Sequence, residues 1–319
     1  MKRLLVLGTV AGLFALQGCV DNEAEVTPKT TITSSSGTTT NTGVGVNSVV
    51  STYEDLTSLP PDTGGQHVAK LKGTTTAAFG YYIYLPAGYN TNTKSYPLLV
   101  FLHGKGERGN GTTDLGRVLN TGIPNLIKNN QWKGKTKYPM IVVSPQYHPV
   151  DGKGADNNWG EYHPEELKGF IEHVVNTYRI NNKRIYLTGL SHGGTGAIDY
   201  LMMQDDATSH VAAAVPVAAY GYGTPNITYY KANNTPIWIF VGQSDWSNFT
   251  TCTNFITRYN AQIPIPDFKA KYTVYPGVGH ESWTRTYNLS GMNTTTNPLY
   301  NPYNMSIYDW MFQYKRTAY

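Results

Sequence analysis

The chain predicts an α/β domain built on a mostly parallel central sheet with helices on both faces. Three observations predict it. Short apolar runs recur, and several are continuous rather than alternating, as strands buried on both faces require. Segments with helical spacing lie between them. One strand-like run leads through a glycine-flanked serine straight into a helix-like segment.

The N-terminus precedes that domain. Met1-Lys2-Arg3 is a basic head, and the apolar run Leu4 to Leu16 is too short to span a bilayer of ~30 Å. It ends in Leu16-Gln17-Gly18-Cys19, so residues 1–18 read as a signal peptide. A cysteine directly after Gly18 resembles the bacterial lipobox. That resemblance implies cleavage before Cys19 and lipidation of its thiol. The product would be an exported, membrane-anchored lipoprotein, periplasmic or on the cell surface. Residues 27–43 hold eight Thr and three Ser and show no hydrophobic period, so residues 19–52 read as a flexible tether. Residues 53–319 are left for one folded domain.

Composition narrows the function. Of 319 residues, 25 are Lys or Arg and 21 are Asp or Glu, a net charge of +4. Removing the leader takes Lys2 and Arg3 away and lowers it further. Without clustered cations nucleic acid is not an expected partner. The hydrophobic fraction of 40% suffices for a sizeable core. The cysteines are Cys19 and Cys252, which excludes a disulfide framework and zinc-ribbon spacing. No metal and no cofactor is expected. Cys252 reads as a small buried helix residue.

Within the domain, the expected strands are Tyr81–Leu85, Leu98–Leu102, Met140–Val143, Ile185–Leu187, Val211–Val217, Ile237–Val241 and Tyr272–Tyr275. The first is expected to be an antiparallel edge. The clearest helix covers 164–179, where Leu167, Phe170, Ile171, Val174, Val175 and Tyr178 share one face. Pro164 suits its first turn, and Glu165 and Glu166 favour its dipole. Further helices are expected over Gly193–Met203, Asn248–Tyr259 and Met305–Tyr314.

Gly189-Leu190-Ser191-His192-Gly193 matches G-x-S-x-G between the strand Arg184–Leu187 and a helix start. This is the setting of a nucleophile elbow, a strained turn whose glycines remove side chains that would collide. A serine hydroxyl needs a base, and in this arrangement the chain order is Ser, acid, His. After Ser191 the histidines are His192, His210 and His280. His192 is pinned beside the serine, and His210 precedes a strand. His280 follows the strand Lys271–Tyr275 at the carboxyl edge, where ligands collect, and is assigned as base. Asp199, Asp205 and Asp206 fall in or after the elbow helix, and Asp267 precedes a strand. Asp245 follows the run Ile237–Val241 and is assigned as the acid that fixes the His280 tautomer.

An oxyanion hole needs two backbone N–H groups. His192 supplies one, and Lys105, in Phe101-Leu102-His103-Gly104-Lys105-Gly106, is nominated for the other. His103 reads as a buried residue bracing that loop. Glu107 and Arg108 are expected to form an ion pair near the site, with a substrate contact as the alternative. Trp246 and Trp283 flank acid and base and are candidates to stack on a sugar or an aromatic acyl group, or equally to pack in the cleft wall. Trp159 and Tyr162 are weaker candidates in a loop-like stretch.

Four segments carry a family resemblance: Tyr82-Ile83-Tyr84-Leu85-Pro86, Phe101 to Gly109, Arg184 to Ser191, and Tyr275 to Trp283. Together they resemble α/β-hydrolase esterases of the carbohydrate esterase family 1, polyhydroxybutyrate-depolymerase-like and predicted-peptidase group. The resemblance implies an α/β-hydrolase fold and a triad at Ser191, Asp245 and His280. His192 departs from the pattern, since relatives more often carry a small or apolar residue there. The expected activity is a serine carboxylic-ester hydrolase working through an acyl-enzyme, on a small-molecule or polysaccharide ester bearing acetyl or feruloyl groups. The same fold also serves serine peptidases, and a non-catalytic glycan-binding lipoprotein is the alternative outside enzymes. The chain shows no extra propeller domain to gate peptides, and an intact triad is not expected of a dead binder.

Overall fold

The computed structural model describes residues 47–49, 54–148, 162–204, 209–220, 235–262, 265–294, 297 and 300–317. Its strands are β1 (Asn47–Val49), β2 (Gln66–Lys70), β3 (Gly80–Leu85), β4 (Tyr96–Leu102), β5 (Ile141–Gln146), β6 (Ile180–Leu190), β7 (Ala213–Val217), β8 (Trp238–Gly242), β9 (Lys271–Tyr275) and β10 (Tyr314–Arg316). Its helices are α1 (Glu54–Thr57), α2 (Gly122–Lys128), α3 (Pro164–Thr177), α4 (His192–Met203), α5 (Trp246–Asn260), α6 (Trp283–Tyr287) and α7 (Ile307–Phe312).

Eight strands form the central sheet in the order β2-β3-β5-β4-β6-β7-β8-β9. The pairs β2–β3 and β3–β5 are antiparallel, and every other pair is parallel. Every residue of β4, β5, β7 and β8 is buried, so the sheet is covered on both faces. The expected α/β class is therefore the observed one. The run at Tyr81–Leu85 is antiparallel as expected but is not the edge, because β2 pairs outside it from Gln66↔Leu85 to Lys70↔Tyr81.

The topology fixes where a site can form. β4 connects outward to β5, whereas β6 connects through α4 to β7 on the other side. Adjacent β4 and β6 thus send their chains in opposite directions. That switch point opens a crevice at their carboxyl ends, where α/β sheets bind ligands. Leu102↔Gly189 is the last pair in the β4–β6 register, so the loop after Leu102 and the turn after Leu190 emerge side by side.

α3 illustrates how the local sequence builds the scaffold. Pro164 occupies its first turn with Glu165 and Glu166, and Leu167, Phe170, Ile171 and Val174 are its buried stripe. At the chain's other end the expected helix Met305–Tyr314 is shorter, Ile307–Phe312, and Tyr314–Arg316 becomes β10. β10 pairs with β1, whose residues were expected to belong to the tether. Backbone pairing needs no apolar run, which is why composition did not reveal it. The same corner is fastened by Arg184, whose fully buried guanidinium meets the Asp55 carboxylate at 2.6 and 3.0 Å and the Phe312 carbonyl at 2.8 Å. The expected leader, Cys19 and Trp159 lie outside the described residues.

Candidate active site

The turn after β6 is strained at Ser191, which has φ 53° and ψ −118° in a residue with a Cβ. Its backbone is locked by the N–H, which donates to the Val217 carbonyl at 2.9 Å. Both motif glycines are sterically required. A Cβ on Gly189 would lie 2.3 Å from the Gly193 carbonyl oxygen, and one on Gly193 would lie 2.1 Å from that of Leu102. α4 begins at His192, one residue earlier than expected, so Ser191 sits at its N-cap with its hydroxyl aimed across the crevice.

The other two residues assigned from sequence meet that hydroxyl. Ser191 Oγ lies 2.9 Å from His280 Nε2, and His280 Nδ1 lies 2.7 Å from Asp245 Oδ2. The loops that carry them are pinned to each other. Ser244 donates its N–H to the Val278 carbonyl at 2.8 Å, and Gln243 donates to Tyr275 at 3.0 Å. Gly242 permits this approach, since a Cβ there would lie 2.2 Å from the Gly279 carbonyl oxygen. Ser191 is 8% exposed, while the His280 side chain is 43% exposed and the Asp245 side chain 11%. The chain of groups therefore runs from a covered serine to an imidazole open on one side.

The loop after β4 closes the opposite wall. Lys105 opens a short 3-10 turn, Lys105–Glu107, and His192 opens α4, so both present N–H groups at the start of a helical turn. The two segments abut, because a Cβ on Gly104 would lie 2.8 Å from Leu190 Cδ1. His103 braces the loop as expected. Its Nε2 accepts the Tyr147 N–H at 2.9 Å, which leaves the proton on Nδ1, 2.6 Å from the Gly104 carbonyl oxygen. Burial holds its pKa down at about 4, so it stays neutral. Glu107 was expected to serve Arg108. Its carboxylate instead accepts the Gly104 N–H at 3.1 Å, and burial raises its pKa.

The His192 ring packs edge-on against Tyr220, with centroids 4.3 Å apart. Burial first, then Arg108 and Lys105, push its pKa down to about 3. A neutral imidazole thus stands beside the serine where relatives were expected to carry an apolar group. Trp283 stands edge-on to the His280 ring at 5.3 Å and is half-buried. Trp246 begins α5 and is 82% exposed, so its indole is not wall packing. Tyr162 is fully buried with its hydroxyl on the Pro145 carbonyl at 3.0 Å, a core role. Sequence reasoning missed Asn248. Its Nδ2 donates to both Asp245 carboxylate oxygens at 2.9 Å.

A strained serine elbow at the switch point of a mostly parallel eight-stranded sheet, with an aspartate after β8 and a histidine after β9, defines an α/β-hydrolase. Residues 74–284 match the family model described as Putative esterase, and the chain belongs to that family of ester hydrolases. Esterase Rv1288 of Mycobacterium tuberculosis is 31% identical over 129 residues, 38% of this chain and 25% of that protein. The chain thus spans about a quarter of the length of the curated relatives it matches. Among solved structures, a thermostable esterase shares 23% identity at a TM-score of 0.51, covering 79% of this chain and 63% of that one. The feruloyl esterase module from Clostridium thermocellum shares 18% at 0.50, covering 77% and 92%. These likenesses bear on the fold.

Proposed function

We propose that this esterase is a serine carboxylic-ester hydrolase that works through an acyl-enzyme. The observation that carries the reading is the unbroken chain Ser191 Oγ to His280 Nε2 at 2.9 Å and His280 Nδ1 to Asp245 Oδ2 at 2.7 Å, set on a strained elbow. His280 takes the Ser191 proton as the Oγ–carbon bond forms, and the carbonyl oxygen becomes an oxyanion held by the His192 and Lys105 N–H groups. The carbon–alkoxide bond then breaks, and His280 returns the proton to the departing alcohol. Water, deprotonated by His280, attacks the acyl-enzyme, and Ser191 is regenerated as the carboxylic acid leaves. The test is a hydrolysis screen across p-nitrophenyl acetate, butyrate and octanoate, methyl ferulate, acetylated xylan and a peptide amide. Turnover of the amide alone would replace the esterase reading with a peptidase one.

We further propose that the substrate is an acetyl or feruloyl ester on a polysaccharide. Trp246 supports this: a large apolar ring at 82% exposure, one residue from the acid, is a stacking surface for a sugar or aromatic ring beside the reacting carbonyl. Trp246→Ala is expected to raise KM for acetylated xylan roughly fivefold to tenfold. Its kcat/KM for ethyl acetate, which carries no ring to stack there, should stay within about twofold. Equal losses on both substrates would remove Trp246 from substrate binding.

The sequence at Leu16-Gln17-Gly18-Cys19 supports the proposal of a lipid-anchored, exported protein. Stable anchoring requires more than one acyl chain, which a fully modified Cys19 would supply. Cys19→Ala is expected to move the protein from the membrane to the soluble fraction, or to block processing, with unchanged specific activity. Mass spectrometry of the mature N-terminus checks it, and an unmodified wild-type Cys19 would remove the proposal.

A further inference from the structure

Asp245 occupies the N-cap of α5, where an aspartate ordinarily turns its carboxylate back to accept N–H groups of the first helical turn. It makes no such capping bond. The carboxylate faces His280 Nδ1 instead, at 2.7 Å. Asn248, in the first turn of the same helix, holds it there by donating Nδ2 to Oδ1 and to Oδ2 at 2.9 Å each. The same Nδ2 stands 3.1 Å from His280 Nδ1. Because Nδ1 carries the proton given to Asp245, two donors converge on one carboxylate, and the amide defines the orientation in which the carboxylate meets the imidazole.

We propose that Asn248 is a positioning residue that diverts Asp245 from capping α5 and holds its carboxylate on His280. The proposal rests on the serine-esterase reading above. It accounts for a side chain in the D-x-x-N spacing Asp245-Trp246-Ser247-Asn248 that would otherwise be an ordinary helix-surface amide. It also makes an unusual demand. Removing the amide lets the carboxylate turn part of the time to the helix N-terminus, so kcat falls while the helix gains a cap.

The test is steady-state kinetics on p-nitrophenyl acetate over a full pH range, with thermal unfolding, for wild type, Asn248→Ala, Asn248→Asp and Ser191→Ala. Asn248→Ala is expected to lose about tenfold in kcat with KM unchanged and an unfolding midpoint no lower than wild type. The groups facing His280 are Asp245 and Asn248 from α5, Ser191 and His192 from the elbow, and Glu281 beside it in the chain. Asn248→Asp adds a negative charge to that set, favours the imidazolium, and should move the acid limb of the profile to higher pH. An Asn248→Ala enzyme with full kcat overturns the proposal. So does a joint fall in kcat and unfolding midpoint that the isosteric Asn248→Asp restores with an unmoved pH profile, since that marks packing alone. An active Ser191→Ala enzyme would instead overturn the serine-esterase reading itself.

Discussion

Ser191→Ala is expected to abolish ester hydrolysis, with a loss of about 10⁶ in kcat, in a protein that folds as the parent does. Serine and alanine share a Cβ, so the strain of φ 53° at the elbow is the same in both. The bonds that hold the turn are backbone bonds. Ser191 N–H to the Val217 carbonyl at 2.9 Å and Thr195 N–H to the Ser191 carbonyl at 3.0 Å both survive the substitution. Only the Oγ contact with His280 at 2.9 Å is lost. A fluorophosphonate probe should label the wild-type protein at Ser191 and leave the variant unlabelled. A variant that folds with an unchanged unfolding midpoint and keeps a tenth of the activity would refute the nucleophile assignment. Labelling of the variant at another serine would do the same.

The parts of this molecule that were legible in the sequence share a physical property: they are buried. β4, β5, β7 and β8 read as continuous apolar runs because both of their faces are covered, and α3 read as a helix because one stripe of it is. β2 was not legible. Gln66–Lys70 is mostly exposed, carries no apolar run, and exists because its backbone pairs with β3. β1 was hidden in the same way by its pairing with β10. At the site, Ser191 and His280 could be found because chemistry restricts the residue types and the fold restricts their chain order. Asn248 could not, because an amide on a helix is unremarkable until the orientation of Asp245 is known. Its one signal was the spacing of three residues from an acid that follows a buried strand. The exposure of Trp246 was equally out of reach, since an indole in that position suits a wall or a surface until its neighbours in the fold are known.

Asp245→Asn is expected to cost about 10⁴ in kcat, and the surroundings of the carboxylate explain why no rearrangement rescues it. In the parent, Nδ1 of His280 carries a proton and donates to Asp245 Oδ2 at 2.7 Å, which leaves Nε2 free to accept from Ser191. Asn248 Nδ2 already donates to both carboxylate oxygens. An amide at residue 245 must place its NH2 on one of them. Placed at the Oδ2 position, it faces His280 Nδ1, forces the proton to Nε2, and leaves Ser191 without a base. Placed at the Oδ1 position, it sets donor against donor at Asn248 and turns the amide from its place. The substitution should therefore lower kcat while leaving KM for p-nitrophenyl acetate little changed, because no substrate contact is removed. Asp199→Asn, on α4 and outside this chain of groups, serves as the control and should stay within about twofold. The measurement is kcat at several pH values on both variants, with unfolding midpoints to exclude misfolding. A severe Asp199→Asn beside a mild Asp245→Asn would mean that His280 takes its orientation from a different acid.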